Sequence, residues 1–247
     1  MGRIIPLHRL TIFSIANPPN ISFNFDEGAA FLVNKPNGWS SYKAVTHLRK
    51  CIDLRKVGHA GTLDPMATGA LILCCGKATR TIRQIQKLPK TYKAEVTFGT
   101  STLSYDAETE TANRLPFDHI TPEKIKNKLD KHFSGKIMQT PPMYSALKHN
   151  GKPLYKFARK GEEVERKARE ITIYSSRLKE YDSPKAELII RCSKGTYIRS
   201  IAHELGLKLN SAAHLSGLER TAIGSFKNED ALTIDDLNLI FGLKMMD

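Results

Sequence analysis

The sequence predicts an α+β fold: a mixed sheet flanked by helices. Segments of period-two alternation interleave with segments of helical period, and no regular strand–helix–strand rhythm joins them. The chain has 247 residues, enough for one large domain or two small ones with a real core. Its 40% hydrophobic and 26% charged residues are ordinary for a soluble globular protein. No apolar run reaches the roughly eighteen residues that a membrane span needs.

The elements follow from local pattern. ISFNF, Ile21 to Phe25, alternates and predicts a short strand. AAFLVNKPNGWSS reads as a buried strand running into a turn at Pro36, Asn37 and Gly38, with Ser40 or Ser41 as the next N-cap. In YKAVTHLRKCIDLRK, the residues Ala44, Val45, Leu48, Cys51 and Ile52 fall at helical spacing. Lys43, His47, Arg49 and Lys50 lie off that stripe, which predicts a helix with a basic outer face. TYKAEVTFG alternates, with Tyr92, Ala94, Val96 and Phe98 pointing one way. TPEKIKNKLDKHF has a Thr121 cap, Pro122 at the first helical position, and Ile125, Leu129 and Phe133 on one face. REITIYSSRL and KAELIIRCSKG read as strands, TYIRSIAHELGLKL begins a helix, and DALTIDDLNLIFGLKMMD holds a short last helix. Before these, GKIMQTPPMYSALKHNGKPLYKFARKGEEVERKAR is broken by Pro141 and Pro142 and turned at Asn150-Gly151. Lys, Arg and Tyr interleave through it.

Charge narrows the partner. Lys and Arg exceed Asp and Glu by 38 to 25, a formal net charge of +13. Such an excess points to a polyanion, because cations that neutralise phosphates release counterions. The cysteines Cys51, Cys74, Cys75 and Cys192 form no CxxC pair, which argues against a zinc ribbon or a secreted disulfide framework. Reduced, mostly buried thiols and a cytoplasmic location are expected. MGRIIPLHRLTIFSIANPPN has a basic start and a short apolar stretch, but Pro6 and Arg9 sit just before that stretch and no convincing cleavage site follows. Pro6 also stands where myristoylation wants Ser or Thr. These residues are expected to be a poorly specified extension.

Chemistry concentrates in GHAGTLDPMATG. Gly58, Gly61 and Gly69 permit close backbone approach, Thr62 and Asp64 can bond their own backbone, and Pro65 sets the next φ. Asp64 is then either a turn cap or a group held out to react. A lone carboxylate can be nucleophile, base or ion-pair partner. No second carboxylate lies nearby to make the pair that glycosidases use. A second candidate is CSKGTYIRS, a small basic loop leading into a helix start, with Tyr197 and Arg199 beside it. Arg199 reads either as an exposed helix residue or as a fork that pairs with a carboxylate or phosphate. AHLSGLERTAIG alone is an ordinary loop and strand, and His203, Glu204 and His214 lack metal-ligand spacing. No metal is expected. No phosphate-binding glycine motif of the P-loop or GxGxxG type occurs, so no nucleotide cofactor is implied.

Taken together, the motifs resemble the TruB-type tRNA pseudouridine synthases. GHAGTLDPMATGALILCCGKATR matches that family's GHxGTLDPxATGxLxxCxGxAT motif nearly throughout. AFLVNKPNGWSS, KTYKAEVTFG, PPMYSALKHNGKPLYKFARKGEEVERKAR, CSKGTYIRSIAHELG and AHLSGLERTAIG follow its other motifs in order, over roughly Phe31 to Phe226. The resemblance implies a pseudouridine synthase fold, with a mixed, mainly antiparallel sheet and an RNA-gripping insertion. It implies an isomerase that converts uridine-55 in the TΨC loop of tRNA to pseudouridine. The base is flipped, its glycosidic bond broken, and a C–C bond made. No net redox change or hydrolysis occurs, so no cofactor is needed. By resemblance, Asp64 is the catalytic aspartate, Arg199 its pairing arginine, and Tyr92 the ring that stacks on the flipped base. Tyr197 lines the pocket, Leu218 packs in it, His59 stands where the base leaves the loop, and Lys35 is a motif lysine with a structural role.

The sequence departs from the pattern at Asn34, where Asp is usual, at Leu103 in a TDTxD-like stretch that keeps Asp106, and at Glu219, where Arg is common. The resemblance divides the chain into an N-terminal extension (1–30), a catalytic domain (31–226, with the insertion at 139–168) and a short tail (227–247) without a PUA domain. The expected partner is tRNA, bound through its T arm by a monomer, with no membrane or metal involved. The alternatives are a non-catalytic tRNA folding chaperone on the same fold and, less supported, a glycosyl hydrolase using Asp64.

Overall fold

The computed structural model describes residues 4–243. Residues 1–3 of the expected extension and the last four residues of the expected tail lie outside them. In chain order the elements are β1 (Ile12–Phe13), β2 (Ala30–Lys35), α1 (Ser41–Cys51), β3 (Val57–His59), β4 (Thr68–Cys75), α2 (Ile82–Lys87), β5 (Lys90–Phe98), β6 (Thr100–Thr102), β7 (Thr111–Arg114), α3 (Pro122–His132) and β8 (Gly135–Gln139). There follow β9 (Lys148–His149), β10 (Lys152–Pro153), α4 (Leu154–Ala158), β11 (Arg169–Asp182), β12 (Lys185–Cys192), α5 (Ile198–Lys208), β13 (Ala213–Ile223), β14 (Phe226–Lys227) and α6 (Ile234–Ile240). The α+β class with mixed pairing is what the molecule has. Among the described residues no helix is long and apolar enough to cross a membrane.

The chain folds as two compact units, Met1–Thr91 with Glu219–Asp247, and Tyr92–Leu218. In the first, β2 runs antiparallel to β4 with Val33 opposite Leu71, and β3 pairs antiparallel with β4. The end of β13 joins β4 in parallel, Arg220 opposite Gly69. Both faces of β2 and β4 are buried. Phe31, Val33, Leu71, Leu73 and Cys75 meet Ala44, Val45 and Leu48 of α1 on one side. Ala30, Leu32, Ala70, Ile72 and Cys74 meet Ile85 of α2 on the other. That double burial is why ALILCC is a continuous apolar run rather than an alternation. The free thiols Cys74 and Cys75 are pushed up to about 12 and about 11 by burial, which makes them packing groups rather than nucleophiles.

Two expectations change here. ISFNF is no strand: Asn20 accepts from the Ser22 backbone, and a 3-10 turn follows at Phe25–Glu27, capped by Asn24. The short polar side chains bond locally and outcompete the ladder. Residues 4–30 are also no loose extension, since β1 pairs with β2 and Phe13 packs among Phe23, Phe25 and Phe31.

β5 alternates buried and half-buried residues as expected, from Lys90 to Phe98, and belongs to the second unit from Tyr92 on. β11 pairs antiparallel with β12 and with β8. Helix α3 starts at the Thr121 cap, buries Ile125 and Leu129, and packs on β11 and α5. The Asn150-Gly151 turn joins β9 to β10.

Candidate active site

The Asp64 loop leaves β3 and returns in β4. The Ala67 N–H donates to the Asp64 carbonyl at 3.1 Å, closing a turn with Pro65 at its second position. Its backbone is held by side chains other than Asp64's. Lys35, fully buried, donates from Nζ to the carbonyls of Trp39 (2.6 Å), Pro36 (2.8 Å) and Pro65 (3.3 Å). Ser41 Oγ accepts from the Leu63 N–H at 2.8 Å and donates to the Leu63 carbonyl at 3.1 Å. Arg220, 1% exposed, donates from Nε to the Ala70 carbonyl (2.7 Å), from Nη1 to Thr62 (3.4 Å) and from Nη2 to Gly61 (3.3 Å). Gly69 is required where β4 passes Arg220. Its φ is +101°, and a Cβ there would sit 2.4 Å from the Arg220 carbonyl.

This cradle leaves Asp64 half-buried. Burial lowers the Lys35 ammonium to about 8, the Asp64 charge opposes that fall, and the Arg220 charge adds to it. Lys35 is therefore still a cation at neutral pH, which its three carbonyl acceptors require. His59 ends β3, and burial lowers its pKa. The Gly61 backbone opposes this and the Arg220 charge reinforces it. It is thus a neutral ring beside the loop.

The remaining predicted residues belong to the second unit. Tyr92 is buried on the inward face of β5, two residues after Lys90, and Leu218 lies half-buried in β13. Arg199, 4% exposed, sits in the first turn of α5. It donates from Nη1 to the Ser104 carbonyl (3.1 Å) and from Nη2 to the Tyr144 carbonyl (2.9 Å). Its Nε lies 3.4 Å from the buried Asp106 carboxylate. Asp106 in turn accepts from Ser104 Oγ (2.5 Å) and the Glu108 N–H (3.0 Å). Tyr197 caps α5, exchanging two bonds with the Gln139 amide, and the Arg169 guanidinium lies over its ring. Gln139, Thr140 and Tyr144 open the insertion, and Thr140 accepts from Ser200 of α5. The root of the insertion is thus bonded to the helix that carries Arg199.

Three of these holders have weak sequence signals. Arg220 looks like a surface charge in a strand, because the inward parity of β13 changes between Leu215 and Arg220. Asp106 is visible only as the kept residue of a degraded motif, and Gln139 has no local signal. The departures are placed too. Leu103 is 63% exposed, Glu219 accepts from Asn228 at 3.1 Å, and Asn34 lies in β2 opposite Ala70. His214 is structural, its Nδ1 lying 3.1 Å from the Thr100 carbonyl.

Comparison with known proteins follows these motifs. Residues 49–198 match the model of the TruB family pseudouridylate synthase N-terminal domain. A tRNA pseudouridine synthase B of Opitutus terrae is 46% identical over 209 residues, covering 85% of this chain and 86% of that protein. One of Bacteroides thetaiotaomicron is 48% identical over 219 residues, covering 85% and 91%. A chain in the crystal structure of a Cbf5–Nop10–Gar1 complex superposes with a TM-score of 0.65 at 29% identity. It covers 91% of this chain, which spans 57% of that one.

Proposed function

We infer the function from membership: the chain belongs to the TruB family of pseudouridylate synthases. It is an isomerase that makes pseudouridine in tRNA. Its target is uridine-55 of the TΨC loop, and Asp64 carries the chemistry. The observation that supports Asp64 most is the cradle of Lys35, Ser41 and Arg220. Three buried side chains fix the turn and present a half-buried carboxylate at its head.

The chemistry asks for few groups. A base inside a stacked loop must be flipped out before its glycosidic bond can react. Tyr92 stacks on the flipped base, while Leu218 and Tyr197 close the pocket around it. His59 stands where the base left the loop. Asp64 acts as an ionised carboxylate, as nucleophile or in proton removal, and Arg199 keeps it ionised and aimed. The base leaves and returns on the same sugar, so no oxidant or water is consumed. Lys and Arg residues of the insertion, among them Lys148, Lys152, Lys156 and Arg159, hold the RNA backbone by charge.

The test uses tRNA transcript tritiated at uridine C5. Wild type should release tritium, and mapping should place the product at position 55. Asp64→Asn should lower release roughly 10³-fold or more while tRNA binding persists. Wild-type protein that binds tRNA without release would favour the chaperone alternative.

A further inference from the structure

We propose that Tyr105 and His203 are positioning residues for Arg199, clamping the Ser104–Asp106 loop onto helix α5 through a ring stack. The proposal deepens the catalytic reading above and rests on it. The two rings lie parallel, with centroids 3.9 Å apart and an interplanar angle of 9°. Arg199 and His203 are four residues apart on α5, so they stand on one face in successive turns. Tyr105 lies between the two residues that grip Arg199. The Ser104 carbonyl accepts from Nη1, and the Asp106 carboxylate faces Nε. Three consecutive residues therefore hold two successive turns of the helix, the outer two on the guanidinium and the middle one on the imidazole.

Backbone geometry says the ring contact is needed. Tyr105 has φ +64°, a left-handed conformation that a large aromatic residue does not adopt without outside support. Three contacts supply that support. The Tyr105 N–H donates to the Thr102 carbonyl at 3.3 Å, the Leu215 N–H donates to the Tyr105 carbonyl at 3.0 Å, and the His203 ring covers the side chain. Burial lowers the His203 pKa, with the Ala213 backbone opposing, so its imidazole enters the stack neutral at neutral pH. If the ring contact is lost, the loop can relax toward negative φ. That rotation moves the Ser104 carbonyl and the Asp106 carboxylate on either side of it. The planar guanidinium fork of Arg199 is then aimed less sharply, and small misplacements of such a group are costly to rate.

The experiment is single-turnover tritium release from uridine-labelled tRNA, with tRNA affinity measured beside it. Wild type is read first. No release from it would remove the catalytic reading, and this proposal with it, before any variant is considered. Tyr105→Ala and His203→Ala should each slow the chemical step about tenfold with affinity within about twofold, and the double variant should be slowed about tenfold rather than a hundredfold, because one contact is lost in all three. Tyr105→Phe and His203→Phe keep a stacked ring and should restore the rate to within about twofold of wild type. Tyr105→Gly, which accepts positive φ without a ring, should stay slow. Wild-type rates in the alanine variants would overturn the proposal. So would Phe variants as slow as Ala variants, a fully active Tyr105→Gly, or losses that multiply in the double variant. Should Tyr105→Ala not fold, the His203→Ala and His203→Phe pair decides alone.

Discussion

The Asp64 loop and the insertion at 139–168 are both turn-rich, yet they are built on opposite principles. The first is gripped by buried cations on backbone carbonyls, Lys35 on three and Arg220 on three. The second is bonded at its root, through Gln139, Thr140 and Tyr144, and mostly exposed beyond it, with a two-residue hairpin and the short helix α4. Its contacts are mainly within the segment, such as Arg159 over the Tyr155 ring and Arg166 bonded to Glu163 and to the Pro141 carbonyl. On the proposed function, the first presents a reacting group and has to be over-determined, whereas the second follows a nucleic-acid backbone and needs charge and reach more than a single shape.

That contrast can be broken at its strong end first. Arg220→Leu leaves the Gly61, Thr62 and Ala70 carbonyls without their donor, and should cost about 4 kcal/mol of stability in denaturant unfolding. Gly69→Ala drives a methyl into the Arg220 backbone at a positive φ, and should cost about 3 kcal/mol in the same measurement. Gly151→Ala is the control from the insertion. Gly151 also has positive φ, 79°, but an added Cβ meets nothing within 4 Å, so only backbone strain of about 1 kcal/mol should appear. Equal losses at Gly69 and Gly151 would refute the distinction between a gripped and a permissive loop.

The smallest effect concerns pH. Burial lowers the pKa of both His47 and His59 in the first unit. Below about 6.5 the unfolded chain takes up protons that the folded chain does not. Stability should therefore fall as the pH drops below that value and level off under the lower folded-state pKa. His59→Gln should flatten part of the slope in melting temperature against pH, and an unchanged slope would show that its ring does not report on folding.

Local pattern revealed most of the fold. The Ser40 and Thr121 caps, the alternation of β5, the apolar run of β4 and the hairpin at Asn150-Gly151 are short-range features, set by a few neighbouring side chains. ISFNF failed as a strand because Asn20 and Asn24 bond their own backbone, and periodicity does not register such bonds.

The motif residues of the candidate site stand out in the sequence for the same reason, as Asp64, Pro65 and their glycines lie in one stretch. What holds them was not. Arg220 reaches the Asp64 loop from a strand more than 150 residues later, and its burial depends on a parity change that only pairing with β4 imposes. Lys35 reads as a charge at the end of a strand until three carbonyls converge on it. The sequence by itself determined which groups are candidates to react and which segments can be strands or helices. Tertiary structure decided which cations are buried, because burial of a charge is settled by the distant carbonyls and carboxylates that can satisfy it.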